Sequence, residues 1–263
     1  MRPFVVYLSM EFYVDEQSIV RKVWGKSDTI LFVFAGASAE FALNKAVDWL
    51  YFTGRLHADP LGRLFSTVMY ARQIVFAEKA DAERAIDKIT SIHKEVESSR
   101  GSTIPDWAYR DVLFMLIHYS IAAYELLERR MTAQEKEDLY DVFYRMGLRM
   151  GLTQLPPTYV AWLPSREAHL KQDLQLSHYS LDLYRQYRKH LGAVRYFILK
   201  ESQKMVCPPI VLRLLKMMGF SWVRPLLWIY KQSRRVKMDE LLKSIILPSA
   251  YKDQIRALDR VPA

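Results

Sequence analysis

DVLFMLIHYSIAAYELL, residues Asp111–Leu127, contains no Asp, Glu, Lys or Arg between its first residue and Glu125. Extended to Asp106 and Arg130, it predicts one long helix that is apolar all round, and such a helix belongs at the centre of a fold. Working outward, helical spacing recurs on both sides. Ile30–Trp49 reads as one apolar segment, with Thr29–Ala39 buried; its small residues Ala35, Gly36, Ala37 and Ala39 let another helix or a flat ligand come close. Leu61–Phe76 is a second apolar helix. ADAERAIDKITSIHKEV, Ala80–Val96, puts Ala82, Ile86, Ile89 and Val96 on an apolar stripe and charges elsewhere. SSRGSTIP, Ser98–Pro105, is a break. Thr132 and Glu135 form a capping box that opens a helix ending near Gly151. Beyond Pro156-Pro157, Ser165–Leu174 and Ser177–His190 read as helices, the second stopped by Gly192, and a last short helix spans Met238–Ile246. The expectation is all-α: a single helical domain over residues 1–263, with a basic C-terminal helical appendage from about residue 184.

Composition narrows the class. Hydrophobic residues at 51% and charged residues at 25% suit a packed globular chain, and nine glycines without a dense turn pattern argue against a sandwich or barrel. Sixteen tyrosines, six tryptophans and eleven methionines suit either a large apolar pocket or simply an aromatic core. A single cysteine, Cys207, excludes an internal disulfide and any CxxC motif. No uncharged apolar run reaches the roughly 18 residues that span a bilayer, and the N-terminus lacks a secretory pattern, so a cytoplasmic location is expected. The net charge of +9 divides into +12 from Tyr184 onward and −3 before it. LLKMMGFSWVRPLLWIYKQSRRVK, Leu214–Lys237, mixes Phe220, Trp222 and Trp228 with cations. That composition suits peripheral contact with an anionic membrane, or a solvated basic face. With no recognised binding motif, nucleic acid is not an expected partner.

Several chemistries are absent by motif. There is no Glu-x-x-His for a ferritin-like di-iron site, no HExxH, and no GxGxxG or GxxxxGK[ST]. GASAE, Gly36–Glu40, has glutamate where a GxSxG nucleophile elbow needs its second glycine. CxxCH is missing, which leaves non-covalent haem open. His93, at i+4 from Ile89 and i+7 from Ile86, lies on the apolar stripe of its helix and is expected to face the interior. His118 lies in the charge-free centre of the long helix, on the side of Phe114 and Ile121. Each suits a hydrogen-bonded core residue or a haem ligand. Arg63 and Thr67, at i and i+4, share a face among Leu64, Phe65, Val68 and Met69. A buried guanidinium there must be paired, by Asp59 or another acid, or by a haem propionate.

Asp59-Pro60, Gly62-Arg63, Thr67, Tyr70 and Phe76, followed by His93-Lys94-Glu95-Val96 with His93 26 residues after Thr67, resemble the DUF2236 family of rubber oxygenase (latex clearing protein) and the mycophenolic-acid pathway farnesyl-cleaving oxygenase. The histidine-bearing segment around His118 resembles that family's second block, and the likeness covers about residues 30–165. The resemblance implies a globin-like helical core holding haem b. Its iron ligand would be His93, with Arg63 and Thr67 as the polar pair beside the haem and His118 as a neighbour or substitute ligand. Where the rubber oxygenase has lysine just before the threonine, this chain has Ser66, which implies an open or water-bound distal position and departs from rubber cleavage itself.

The implied activity is oxidation of an apolar, isoprenoid-like substrate with O2, by cleavage of a C=C bond. Phe65 and Tyr70, with Met69 and Phe114, are candidate haem-packing or pocket residues by helix face. Two other classes stand beside it: a haem or gas carrier without turnover, and a cofactor-free helical protein at a membrane surface.

Overall fold

Local chemistry places many of the helix ends. Thr132 Oγ1 accepts the Glu135 N–H (3.1 Å) while the Glu135 carboxylate accepts the Thr132 N–H (2.9 Å), which completes the expected capping box. Ser177 forms a second capping box with Ser180, and the Thr158 hydroxyl caps a helix by accepting the Ala161 N–H. Gly101 closes another at φ 66°, where its N–H reaches the carbonyls of Glu97 and Ser98 and a Cβ would be disfavoured.

The computed structural model describes residues 11–52 and 60–235, and the side chains of 11–49, 51–52 and 67–231. Its helices are α1 Ile19–Trp24, α2 Ser27–Leu43, α3 Asp48–Phe52, α4 Pro60–Phe76, α5 Lys79–Arg100, α6 Asp106–Leu127, α7 Ala133–Arg149, α8 Tyr159–Gln172, α9 His178–Val206, α10 Pro209–Leu214 and α11 Arg224–Arg235. Among the described residues there is no strand, only isolated bridges at Phe12–Glu78 and Asn44–Leu174, so the all-α expectation holds. The helix expected at Met238–Ile246 lies outside the described residues. No helix among the described residues is long and apolar enough to cross a membrane.

The charge-free helix is central, as its sequence requires: α6 buries Leu113, Phe114, Met115, Leu116, Ile117, Tyr119 and Ile121. It lies against α2, and the small residues of α2 serve that approach. A Cβ on Gly36 would fall inside the Tyr119 ring of α6, so this glycine is required for close packing and not for an unusual backbone angle. Around the pair, α9 and α10 pack on α2, α4 packs on α5, and α7 bridges α6, α1, α5 and α8.

Several boundaries differ from expectation. The Ile30–Trp49 segment breaks after Leu43. There Asn44 turns its Oδ1 to the Ala46 N–H (2.8 Å) and its Nδ2 to Asp111 (2.8 Å), and α3 follows. The helix expected from Ser165 starts six residues earlier at Tyr159, because Thr158 caps it and Glu137 of α7 accepts the Tyr159 N–H. The central helix stops at Leu127, before Arg130.

The stop at Gly192 is present, although helix resumes after it. Gly192 takes φ 73°, ψ 172° inside α9. Tyr184 Oη donates to Gln203 Oε1 at 2.9 Å. In a straight helix those residues would lie about 28 Å apart. The two limbs of α9 therefore fold back on each other, and Leu183 and Tyr187 of the first limb join Ala42 and Val47 in a second small core.

Candidate functional site

The positions singled out in the sequence fall on adjoining helices. In α4, positions 63, 66, 67 and 70 share one side by helical register. The buried side is a different one, formed by Val68, Arg72 and Val75, although Ile74, one turn beyond Tyr70, is buried at the C-terminal end. Thr67 and Met69 are exposed and Tyr70 is half-buried. The side chains of Arg63 and Phe65 lie outside those described. The arginine that α4 does bury is Arg72, whose guanidinium donates to the Trp24 carbonyl and sits 5.0 Å from the Phe76 ring centre.

His93 on α5 is half-buried, less enclosed than its apolar stripe predicts. Its ring lies 5.1 Å from that of Tyr109, the fourth residue of α6. Tyr109 is held in turn by a hydrogen bond to Glu97 (3.1 Å), which also accepts the Ile104 N–H (2.8 Å). The end of α5, the connection and the start of α6 thus fix the imidazole from behind. Because α4 packs on α5, the Thr67–Tyr70 side and His93 belong to one helix pair.

His118 stands apart from that pair. It is nine residues beyond Tyr109 on α6, about 13 Å along the axis. Burial, with the Arg166 charge nearby, pushes its pKa down to about 3, so it is a neutral imidazole at ordinary pH. Its ring meets that of Tyr119 edge-on at 5.0 Å.

Close to His118 lies a polar group that the sequence reading passed over. Glu40 of α2 is fully buried. Its carboxylate takes a two-pronged pair from Arg166 of α8, with Nη2–Oε2 at 2.5 Å, and bonds from Tyr119 Oη (2.8 Å) and His169 Nε2 (3.0 Å). His169 Nδ1 faces Asp111 of α6 at 2.5 Å and Asp173 at 3.4 Å, and Asn44 donates to the other Asp111 oxygen. Burial opposes charge on all of these groups, but the partners outweigh it at the two ends that matter. Glu40 is held far below the usual carboxylate range by Arg166 and His169, and His169 is pushed up to about 9 by Asp111 and Glu40. Asp111 itself is pushed up by burial while His169 pulls it back.

The result is a charge-paired brace joining α2, α6 and α8. Cys207 completes its edge: the thiol accepts from Tyr119 Oη (3.7 Å) and reaches the Gly36 carbonyl (3.9 Å). Asp111, His169 and Asp173 bring their ligand atoms within 4.8 Å of one another, the spacing of a metal site. In this structure Nε2 meets Glu40 and Nδ1 meets Asp111 and Asp173, and those carboxylates favour the protonated imidazole. The signal available in the sequence was Glu40, a lone acid inside the apolar run TILFVFAGASAEFAL. Its partners, 126 and 129 residues away, carry no such mark.

Neither the curated proteins nor the solved structures contain a match to this chain. One family profile does match, over residues 21–228, which begins earlier and ends later than the motif-bearing part at about 30–165. It takes in every site residue discussed above and most of the basic C-terminal helices. The match spans the all-helical core and its histidine-bearing helix pair, and the chain belongs to the oxygenase family described as ER-bound oxygenase mpaB/B′/rubber oxygenase, catalytic domain.

Proposed function

We propose that this chain is a haem b-dependent oxygenase that uses O2 to cleave a C=C bond of an apolar, isoprenoid-like substrate. The observation that supports it is the α4–α5 pair: a half-buried imidazole whose ring meets that of Tyr109, on the helix that packs against the one bearing exposed Thr67 and Met69 and half-buried Tyr70. An imidazole nitrogen on a rigid helix, apolar and aromatic cover, and a hydroxyl donor form a donor set that fits haem.

His93 would hold the iron, with Tyr109 and Glu97 fixing the plane of its ring. Thr67 would hydrogen-bond a propionate, and Arg63, one turn earlier, would pair one. Tyr70 and Phe65 would pack against the group, and Ser66 stands where the rubber oxygenase has a lysine. When bound, haem would supply the oxygen chemistry; the chain would supply the ligand and orientation. His118, neutral by burial, offers the substitute ligand on α6.

The test is an absorption spectrum with a pyridine-haemochrome assay after hemin reconstitution, on the parent, His93→Ala and His118→Ala. A Soret band that His93→Ala abolishes or shifts, while His118→Ala keeps it, is the expected result, and alkene turnover then separates enzyme from carrier. Sensitivity at His118 alone moves the ligand to α6. A parent that takes up no hemin overturns the reading.

A further inference from the structure

The C-terminal part of the described chain presents an apolar face outward. Met218, Phe220 and Trp222 precede α11, and Pro225, Leu226, Trp228 and Ile229 follow on it; all are exposed, Trp222 at 74% and Trp228 at 66%. On the helix these positions form one side, while Val223, Leu227, Tyr230 and Lys231 form the other and are half-buried. The inward side is pinned at two points: Tyr230 Oη donates to Asp28 (3.0 Å) and Lys231 Nζ to the Leu126 carbonyl (3.1 Å). The loop before α11 is pinned too. Glu201, buried in the second limb of α9, accepts the Trp222 N–H at 2.6 Å, and its carbonyl accepts Ser221 Oγ at 3.1 Å. The aromatic residues are therefore held outward by a supported backbone.

We infer that this face, Met218 to Ile229, docks the protein on an anionic lipid surface. Charge selects the occupant. From residue 202 to 238 the sequence has no Asp or Glu. Arg213, Lys216 and Arg224 are exposed around the patch and make no ion pair among the described residues. Tryptophan and phenylalanine settle at the lipid–water boundary, and flanking cations meet lipid phosphate and carboxylate groups. A second copy of the chain fits less well, because a two-fold contact would place the same cations against each other. This inference is independent of the cofactor and goes beyond the oxygenase reading.

The experiment is vesicle flotation of the full chain with phosphatidylcholine alone and with added phosphatidylserine, at low and high salt, alongside intrinsic Trp emission. The parent is expected to float with phosphatidylserine vesicles, to shift its emission to the blue, and to lose binding as salt rises. Trp222→Ser with Trp228→Ser should weaken partitioning about tenfold or more, and Lys216→Glu with Arg224→Glu by about fivefold per cation. Thermal melts should be unchanged, since these side chains are exposed. Three results would overturn the inference: no flotation of the parent at low salt, equal flotation of the Trp pair variant, or a parent dimer that this variant dissolves without any vesicle effect.

Discussion

Replacing Glu40 by Gln preserves its volume and removes its charge from the centre of the brace. Arg166 then stays buried without its carboxylate, and His169 keeps only its Asp111 side. Losing one partner of a buried, hydrogen-bonded ion pair costs about 3–5 kcal/mol. In a chain of this size each kcal/mol moves the melting temperature by about 2–4 °C, so Glu40→Gln should lower Tm by about 10 °C. The same network sets a pH dependence. The folded pKa of His169, about 9, lies above its ordinary 6.5, so protonation favours the native state. The stabilisation, about 3 kcal/mol, is fully present below about pH 6.5 and is lost as pH rises through 9. Without Glu40 that loss should be smaller and complete at lower pH, as the folded imidazole falls back towards its ordinary value. Circular-dichroism melts and urea titrations of parent and variant from pH 6 to 10 measure both effects. Removing both charges, Glu40→Gln with Arg166→Met, should recover much of the loss because no stranded cation remains. A single variant melting within about 2 °C of the parent, or a parent with flat stability between pH 6.5 and 9, would refute the brace.

Two further predictions rest on the α2–α6 contact. Gly36→Ala drives a methyl into the Tyr119 ring and displaces its hydroxyl from Glu40, so a loss of about 1–3 kcal/mol in urea titrations is expected; an unchanged midpoint would mean the helices can separate at no cost. The Cys207 thiol, buried and pushed up in pKa by that burial, should react with a disulfide reagent at least about a thousandfold more slowly in the native protein than in urea. Rapid native labelling would show that α9 and α10 open locally.

What the sequence by itself determined were the features that neighbours along the chain decide. Asp111–Leu127 had to be a central helix because it carries no Asp, Glu, Lys or Arg between its first residue and Glu125. Thr132–Glu135, Gly101 and Gly192 mark ends through contacts a few residues long. The family's motif, from Asp59 to His93, was legible because its parts are close and ordered. Tertiary structure alone decided where charge could be buried. Glu40, Asp111, Arg166 and His169 look ordinary one at a time, and only the crossing of α2, α6 and α8 makes them pay for one another's burial. It also decided which side of an apolar stretch meets water. Thr67 and Met69 read as core but face outward, because α4 turns Val68, Arg72 and Val75 to α1 and the interior. In α11 the apolar side is left outside, because Tyr230 and Lys231 already have partners on α2 and α6. Periodicity reports that a helix has two sides; which of them is covered depends on what packs against it.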